Sequence, residues 1–294
     1  MLPAFSMLFE TSFSVVTPTL FKKEELQKYN SQFQAVRTIS KLVSPALAGL
    51  LLLEWDIDTI FFINSFSFLL LLIATLISKI PKIKNEITND KWEAILSGFR
   101  FNLQSVKLRT VLIYTIIVNI SMVGFNSTIV FYLKSQLQLT DQLVGIVYSL
   151  AGFGSLIGAI LLSTKLKSIN VGKLTSLSMI SIPAVILISG IDLNWIFFGI
   201  CYAILSSMIT IASVSITTIQ QQESKENELG RVMASAFIIA TILAPLGGIV
   251  ASIINNYFTP QIGLFILGFI NSFFIMLVIL YNRKERKKLN SLKF

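Results

Sequence analysis

Between Thr59 and Ile77 the chain reads TIFFINSFSFLLLLIATLI, without one charged side chain. A run of that length approaches the roughly 20 apolar residues that cross the hydrocarbon core of a bilayer. Only a helix satisfies its own backbone hydrogen bonds there. Read for the same signal, the rest of the chain offers further runs at about 1–17, 31–53, 108–133, 142–164, 172–190, 194–219, 231–255 and 261–282, so that with 58–79 there are nine candidate spans. The composition agrees: 54% of residues are hydrophobic and 13% charged, against about 25% charged in an ordinary soluble domain. The predicted fold class is an all-α polytopic membrane protein.

The gaps between runs alternate in charge. Lys22, Lys23 and Lys28 occupy the first, and Lys79, Lys82, Lys84, Lys91, Arg100, Lys107 and Arg109 lie in or beside the third. Lys165, Lys167 and Lys173 fall in the fifth, Lys225 and Arg231 in the seventh, and Arg283, Lys284, Arg286, Lys287, Lys288 and Lys293 in the tail. The intervening gaps hold Glu54, Asp56, Asp58, Asp141 and Asp192, with Lys134 as their one nearby cation. Basic loops on alternate sides are what the positive-inside rule requires, so the basic gaps and the carboxy terminus are expected on the cytoplasmic face of a bacterial cell membrane. The net charge of +9 then belongs to a rim beside anionic lipid rather than to a nucleic-acid surface.

Several chemistries are excluded or disfavoured. With no histidine, the chain has no imidazole base, no Ser-His or Cys-His pair and no HExxH zinc motif. Its single cysteine, Cys201, permits no internal disulfide. No GxxxxGK[ST] loop is present to cradle a nucleotide. No cofactor, metal or enzymatic activity is expected, and no obligate protein partner is evident.

The sequence Phe-Ile-Asn-Ser-Phe occurs at Phe62–Phe66 and again at Phe269–Phe273. Ahead of the first copy stands SPALAGLLL from Ser44, and ahead of the second APLGGIVAS from Ala244. Further upstream KKEELQKYN from Lys22 faces KENELGRVM from Lys225. Three successive helices thus recur in order and orientation, and three more precede them in the second copy. Parallel six-helix halves are an architecture of secondary transporters. On that pattern residues 1–80 form the last three helices of an amino-terminal bundle, which predicts about three helices missing from its front. Residues 81–107 form a cytoplasmic linker, 108–282 a complete six-helix bundle, and 283–294 a basic tail. In the linker, Trp92, Ile95, Leu96, Phe99 and Leu103 share one stripe of a helix, with Lys91, Glu93, Arg100 and Gln104 off it, as in a helix lying at a membrane surface.

These stretches also resemble the major facilitator superfamily. The segment from Thr17 to Leu52 resembles the approach to the antiporter motif of helix five, with SPALAG where that motif usually has Gly-Pro-x-x-Gly-Gly. SGFRFNLQSVKLRTVL resembles the central loop entering helix seven, and ELGRVMASAFIIATILAPLGG looks like helix eleven of the subfamily of macrolide-efflux pumps and a siderophore exporter. The resemblance implies an incomplete major-facilitator fold that exports a small hydrophobic or amphipathic compound, such as a drug, in exchange for protons. LLSTKLKSINVGK departs from the family, having no acid where an acidic Gly-x-x-x-Asp-Arg signature often follows helix eight. The alternatives are a non-transporting remnant or incomplete gene reading and, least favoured, an intramembrane enzyme.

Polar groups within spans are the candidate site residues. Glu10 reads either as a proton or cation site or as a carboxylate reaching the interface. Arg37 could pair with a carboxylate to hold one access state or could snorkel to the surface; for Lys41 snorkelling is the reading. Asn119, Met122 and Asn126 share one helix face, as do Ser206, Thr210, Ser213 and Thr217, and either face could line a cavity or bond a neighbouring helix. Ser44, Pro45, Ala48 and Gly49, with Pro245, Gly247 and Gly248, read as a hinge and seal between the bundles or as close helix packing. Gly154 and Gly158 read as packing residues. Asn64 and Asn271, equivalent in the repeat, read as hydrogen-bonding glue between helices.

Overall fold

The structure, a computed structural model, describes residues 2–77, 91–191, 194–225 and 227–291, excluding the side chains of residues 2–10, 45–50, 52–54, 57, 91, 92, 94, 95 and 283–291. Among the described residues there are eleven α-helices and no strand: α1 Leu2–Leu20, α2 Leu26–Glu54, α3 Ile57–Ile77, α4 Lys91–Gln104, α5 Val106–Phe131, α6 Asp141–Ser163, α7 Val171–Ser189, α8 Trp195–Glu223, α9 Leu229–Leu243, α10 Pro245–Tyr257 and α11 Pro260–Ser291. Helix α5 ends in a π-helical turn, Tyr132–Gln136.

Local sequence sets these boundaries. Thr140 accepts a bond from the Leu143 amide at the start of α6, Asn170 from Gly172 and Lys173 at α7, and Asn194 from Phe197 at α8. Each side chain satisfies an amide that the first helical turn leaves without a partner. Seven stretches are long and apolar enough to cross a bilayer: Asp58–Ile77, Val106–Gln136, Asp141–Ser163, Val171–Ser189, Trp195–Glu223, Leu229–Tyr257 and Pro260–Asn282. The first two expected spans are also helical, as α1 and α2, but α2 carries Lys28, Arg37 and Lys41 and is less apolar than these seven.

Helices α5–α11 form one bundle. Its heaviest packing is α8 against α6 and α7, with α10 on α5 and α11 across α5 and α7. Phe125, Ile129, Tyr132, Met179, Ile182, Phe198 and Leu205 make a continuous buried core. The amino-terminal helices dock on one flank: α2 against α6 and α8, and α1 against α8 and α9. Helix α3 contacts α2 and leaves every residue from Phe61 to Ile77 exposed, the surface an apolar helix offers to lipid.

The twin proline motifs behave differently. The second divides its span at Ala244, where Pro245 opens α10 and the Gly247 amide bonds the Ala244 carbonyl at 3.0 Å. The first lies within an uninterrupted α2. Proline removes one ladder bond in both copies, but in the second two adjacent glycines, poor helix formers, follow it. At Gly247 the contact is the close helix packing that was the alternative to a seal. A Cβ on Gly247 would lie 1.9 Å from the Ile120 carbonyl oxygen of α5. That contact is inside the carboxy-terminal bundle, not between bundles.

Candidate functional site

Where α1 and α2 meet the larger bundle they enclose a cavity of about 420 Å³. Thr11, Phe13 and Ser14 reach it from α1, and Asn30, Phe33, Gln34 and Arg37 from α2. Opposite stand Thr115, Asn119 and Met122 of α5, Ser213, Thr217 and Gln220 of α8, and Met233 and Phe237 of α9. Hydroxyl and amide groups therefore alternate with aromatic and thioether surface. Such a lining can grip a ligand that carries both apolar bulk and scattered oxygen or nitrogen atoms. Arg37 is the only charged group among the described lining residues. Its guanidinium lies 5.8 Å from the Phe33 ring centre, and Phe33 in turn stacks on Phe13 at 4.0 Å.

A seam of hydrogen bonds, mostly between uncharged groups, closes the cavity at the end that carries the basic gaps. The Asn30 amide donates to Thr218 Oγ1 at 3.0 Å and to Gln221 Oε1 at 2.6 Å. Gln221 Nε2 donates in turn to the Ser14 carbonyl at 2.8 Å. Closer to that end, Lys23 Nζ donates to the Gln222 carbonyl at 3.0 Å, and Gln222 Nε2 to the Lys23 carbonyl at 2.9 Å. Gln27 Nε2 donates to the Leu166 carbonyl at 3.1 Å. Toward mid-span, Thr38 meets Ser155 at 3.4 Å, Ser155 meets Thr210 at 2.8 Å, and Leu42 fills the notch over Gly152. Since Asn30 and Ser14 also line the cavity, the seam is its floor.

Of the residues singled out from sequence, Arg37 and Asn119 reach the cavity, together with Met122, Ser213 and Thr217. Asn126 is exposed and accepts a bond from the Tyr202 hydroxyl at 3.3 Å, while Thr210 is buried in the Ser155 bond. Ser206 is half-buried outside the lining. Gly154 and Gly158 press α6 onto α8; a Cβ on Gly154 would come 2.0 Å from the Ala203 carbonyl oxygen. Ser44 is exposed and bonds the carbonyl of Ser40 within its own helix. The side chains of Glu10, Pro45, Ala48 and Gly49 lie outside the described residues.

The hydrogen-bonding role expected of the paired asparagines needs correction. Asn64 is exposed on α3, and Asn271 is buried with neither its oxygen nor its nitrogen hydrogen-bonded. Its helix instead meets α7 through Gly268 against Leu187. Asn30, Gln221 and Gln222 were not anticipated. Their signal was there to read: amides beside both copies of the basic gap, at Gln27 and Asn30 and at Gln220–Gln222.

Residues 4–248 match the family model of the Major Facilitator Superfamily. Macrolide efflux protein A of Enterococcus faecalis is 25% identical over 239 residues, which cover 80% of this chain and 74% of that protein. Macrolide efflux protein A of Streptococcus pyogenes is 24% identical over 85% of this chain and 62% of its own length. Enterobactin exporter EntS of Salmonella typhi is 23% identical over 78% of this chain and 55% of its own. The chain therefore spans between about half and three quarters of these relatives. Among solved structures, a bacterial homologue of the iron transporter ferroportin in an outward-facing state superposes with a TM-score of 0.70 at 15% identity, covering 95% of this chain and 69% of that one. The fold is shared, and the apolar helices are membrane spans: this chain belongs to the Major Facilitator Superfamily.

Proposed function

We propose that the protein is an efflux transporter that carries a small hydrophobic or amphipathic compound out of the cytoplasm in exchange for protons. The observation that carries this reading is the amphipathic cavity of about 420 Å³ between the amino-terminal helices and the larger bundle. It is floored at one end by bonds that join the two. A transporter of this architecture works by rocking its two parts about a central site. Here Arg37, Asn119, Ser213 and Thr217 contact the substrate, the Asn30–Gln221 seam closes the cytoplasmic side, and the helix break at Pro245 lets α9 and α10 tilt separately. The basic gaps and tail face the cytoplasm. Residues 1–80 move as one part, 108–282 as the other, and 81–107 link them.

The test is accumulation in bacteria stripped of their own drug pumps, with a macrolide and enterobactin as first substrates because relatives carry those names. Cells expressing the chain should retain less of at least one compound, and a protonophore should abolish the difference. Changing Ser213→Trp, which fills the cavity, should also abolish it. Accumulation equal to the empty-vector control, with the protein verified in the membrane, would refute the proposal.

A further inference from the structure

Helix α4 is fastened to the bundle by the wrong face for a helix that has to hide its apolar stripe. Its seam with α9 is made of small and polar residues. A Cβ on Gly98 would lie 2.4 Å from the Arg231 carbonyl oxygen, so the backbones touch. One turn on, buried Asn102 donates to the Val232 carbonyl at 2.9 Å and to Ser235 Oγ at 2.9 Å. Arg231 donates to Ser97 Oγ at 3.4 Å. At 100° per residue, Leu96 and Leu103 lie more than a quarter-turn from this seam. They are 62% and 54% exposed. Arg100 flanks them and is exposed as well.

A helix that spends hydrogen bonds on one face and leaves leucines bare on the next is not completed by its own protein. The surroundings identify the missing partner. Residues 79–109 carry seven basic against three acidic side chains, and adjoining α5 is a membrane span. The exposed leucines lie beside cations at the mouth of a span, which is the composition of a helix lying in an anionic lipid interface. We propose that α4 inserts Leu96 and Leu103 into the cytoplasmic leaflet and sets Arg100 against anionic headgroups. Through Gly98 and Asn102 it then ties the basic end of α9 to the membrane surface. Because α9 lines the cavity through Met233 and Phe237, headgroup charge bears on the position of a cavity wall. This rests on the cytoplasmic orientation proposed above, but not on transport itself.

The test uses the full chain in nanodiscs, in a Cys201→Ser background that removes the only native cysteine. A fluorophore on Leu103→Cys should be quenched by lipids brominated near the headgroup, and one on neighbouring Gln104→Cys by aqueous iodide. Hydrogen exchange supplies the charge arm. Replacing phosphatidylcholine with one-third phosphatidylglycerol should slow exchange in α4 by about fivefold or more, the effect of one cation near an anionic leaflet. High salt or Arg100→Gln should remove the slowing, while exchange across α6 and α8 serves as the folding control. Equal quenching at the two labels, or α4 exchange indifferent to headgroup charge, would overturn the proposal whatever the transport assay gives.

Discussion

Replacing Asn30 with alanine tests the seam at a buried residue that bonds two partners on α8. Asn30 is 8% exposed and supplies two bonds to α8, at 3.0 Å to Thr218 and 2.6 Å to Gln221. Thr218 keeps its bond to the Val214 carbonyl at 2.8 Å, so its loss is small. Gln221, 1% exposed, loses the donor to its carbonyl oxygen. Bonds between membrane helices average about 0.6 kcal/mol each, and a buried acceptor left unpaired costs about 1–3 kcal/mol. The closed end should therefore be destabilised by about 1–3 kcal/mol, a shift of roughly 5- to 150-fold toward the open form.

Thr217→Cys in a Cys201→Ser background reports the change, since Thr217 faces the cavity. A membrane-impermeant thiol reagent is added to vesicles from the side bearing the basic loops, and the rate of modification is measured with and without Asn30→Ala. The rate should rise at least about fivefold. Asn119→Ala is the control, because among the described residues Asn119 bonds the Thr115 carbonyl of its own helix at 2.8 Å, and it should leave the rate unchanged. An unchanged rate in Asn30→Ala, with the thermal midpoint within a degree or two of the parent, would show that the seam does not hold this end shut.

Three further outcomes follow from the same geometry. Gly154→Val puts carbon where a Cβ lies 2.0 Å from the Ala203 carbonyl oxygen, so thermal unfolding in detergent should show a loss of about 1–3 kcal/mol, and an unaltered midpoint would contradict the close α6–α8 contact. Arg37→Gln removes the cation beside Phe33; efflux per molecule of membrane protein should fall several-fold, and undiminished efflux would remove Arg37 from the substrate path. Pro245→Ala restores the missing amide donor between α9 and α10; the expected result is a higher midpoint with slower turnover, and equal or faster turnover would argue against a hinge there.

The sequence made the bundle legible because spans announce themselves through length and apolarity, and loops through charge. Thr59–Ile77 and the alternating basic gaps required nothing from tertiary structure. Site residues were legible only in part, and the failures share a cause. Asn119 and Asn126 sit seven residues apart, two helical turns, so they have nearly the same azimuth but differ by about 10 Å in depth. One reaches the cavity, and the other reaches Tyr202 outside it. Ser206 and Ser213 repeat the pattern on α8. Periodicity supplies a direction around an axis, whereas a cavity is also defined by depth and by which neighbour stands opposite. Asn30 and Gln221 are hidden in the sequence for a related reason. Amides beside a lysine-rich gap look like solvated helix ends, and only the docking of α2 on α8 buries them.

The seam, in which Lys23 is the one charged donor, has an energetic consequence for the proposed cycle. Six bonds hold the floor between Lys23 and Gln222, Gln27 and Leu166, Asn30 and its two partners, and Gln221 and Ser14. At about 0.6 kcal/mol each, their sum is about 4 kcal/mol. Moving a two-state equilibrium from 1:99 to 99:1 takes about 5.5 kcal/mol of differential binding. The floor is thus within the range that differential ligand binding can open in the proposed cycle. Distributing the closure over several amides also makes it gradual under mutation. If the six bonds contribute independently, double substitution of Asn30 and Gln27 should raise cavity accessibility by about the product of the single effects. An effect of the pair no larger than that of Asn30→Ala alone would mean that Asn30 is the latch and the remaining bonds merely line the seam.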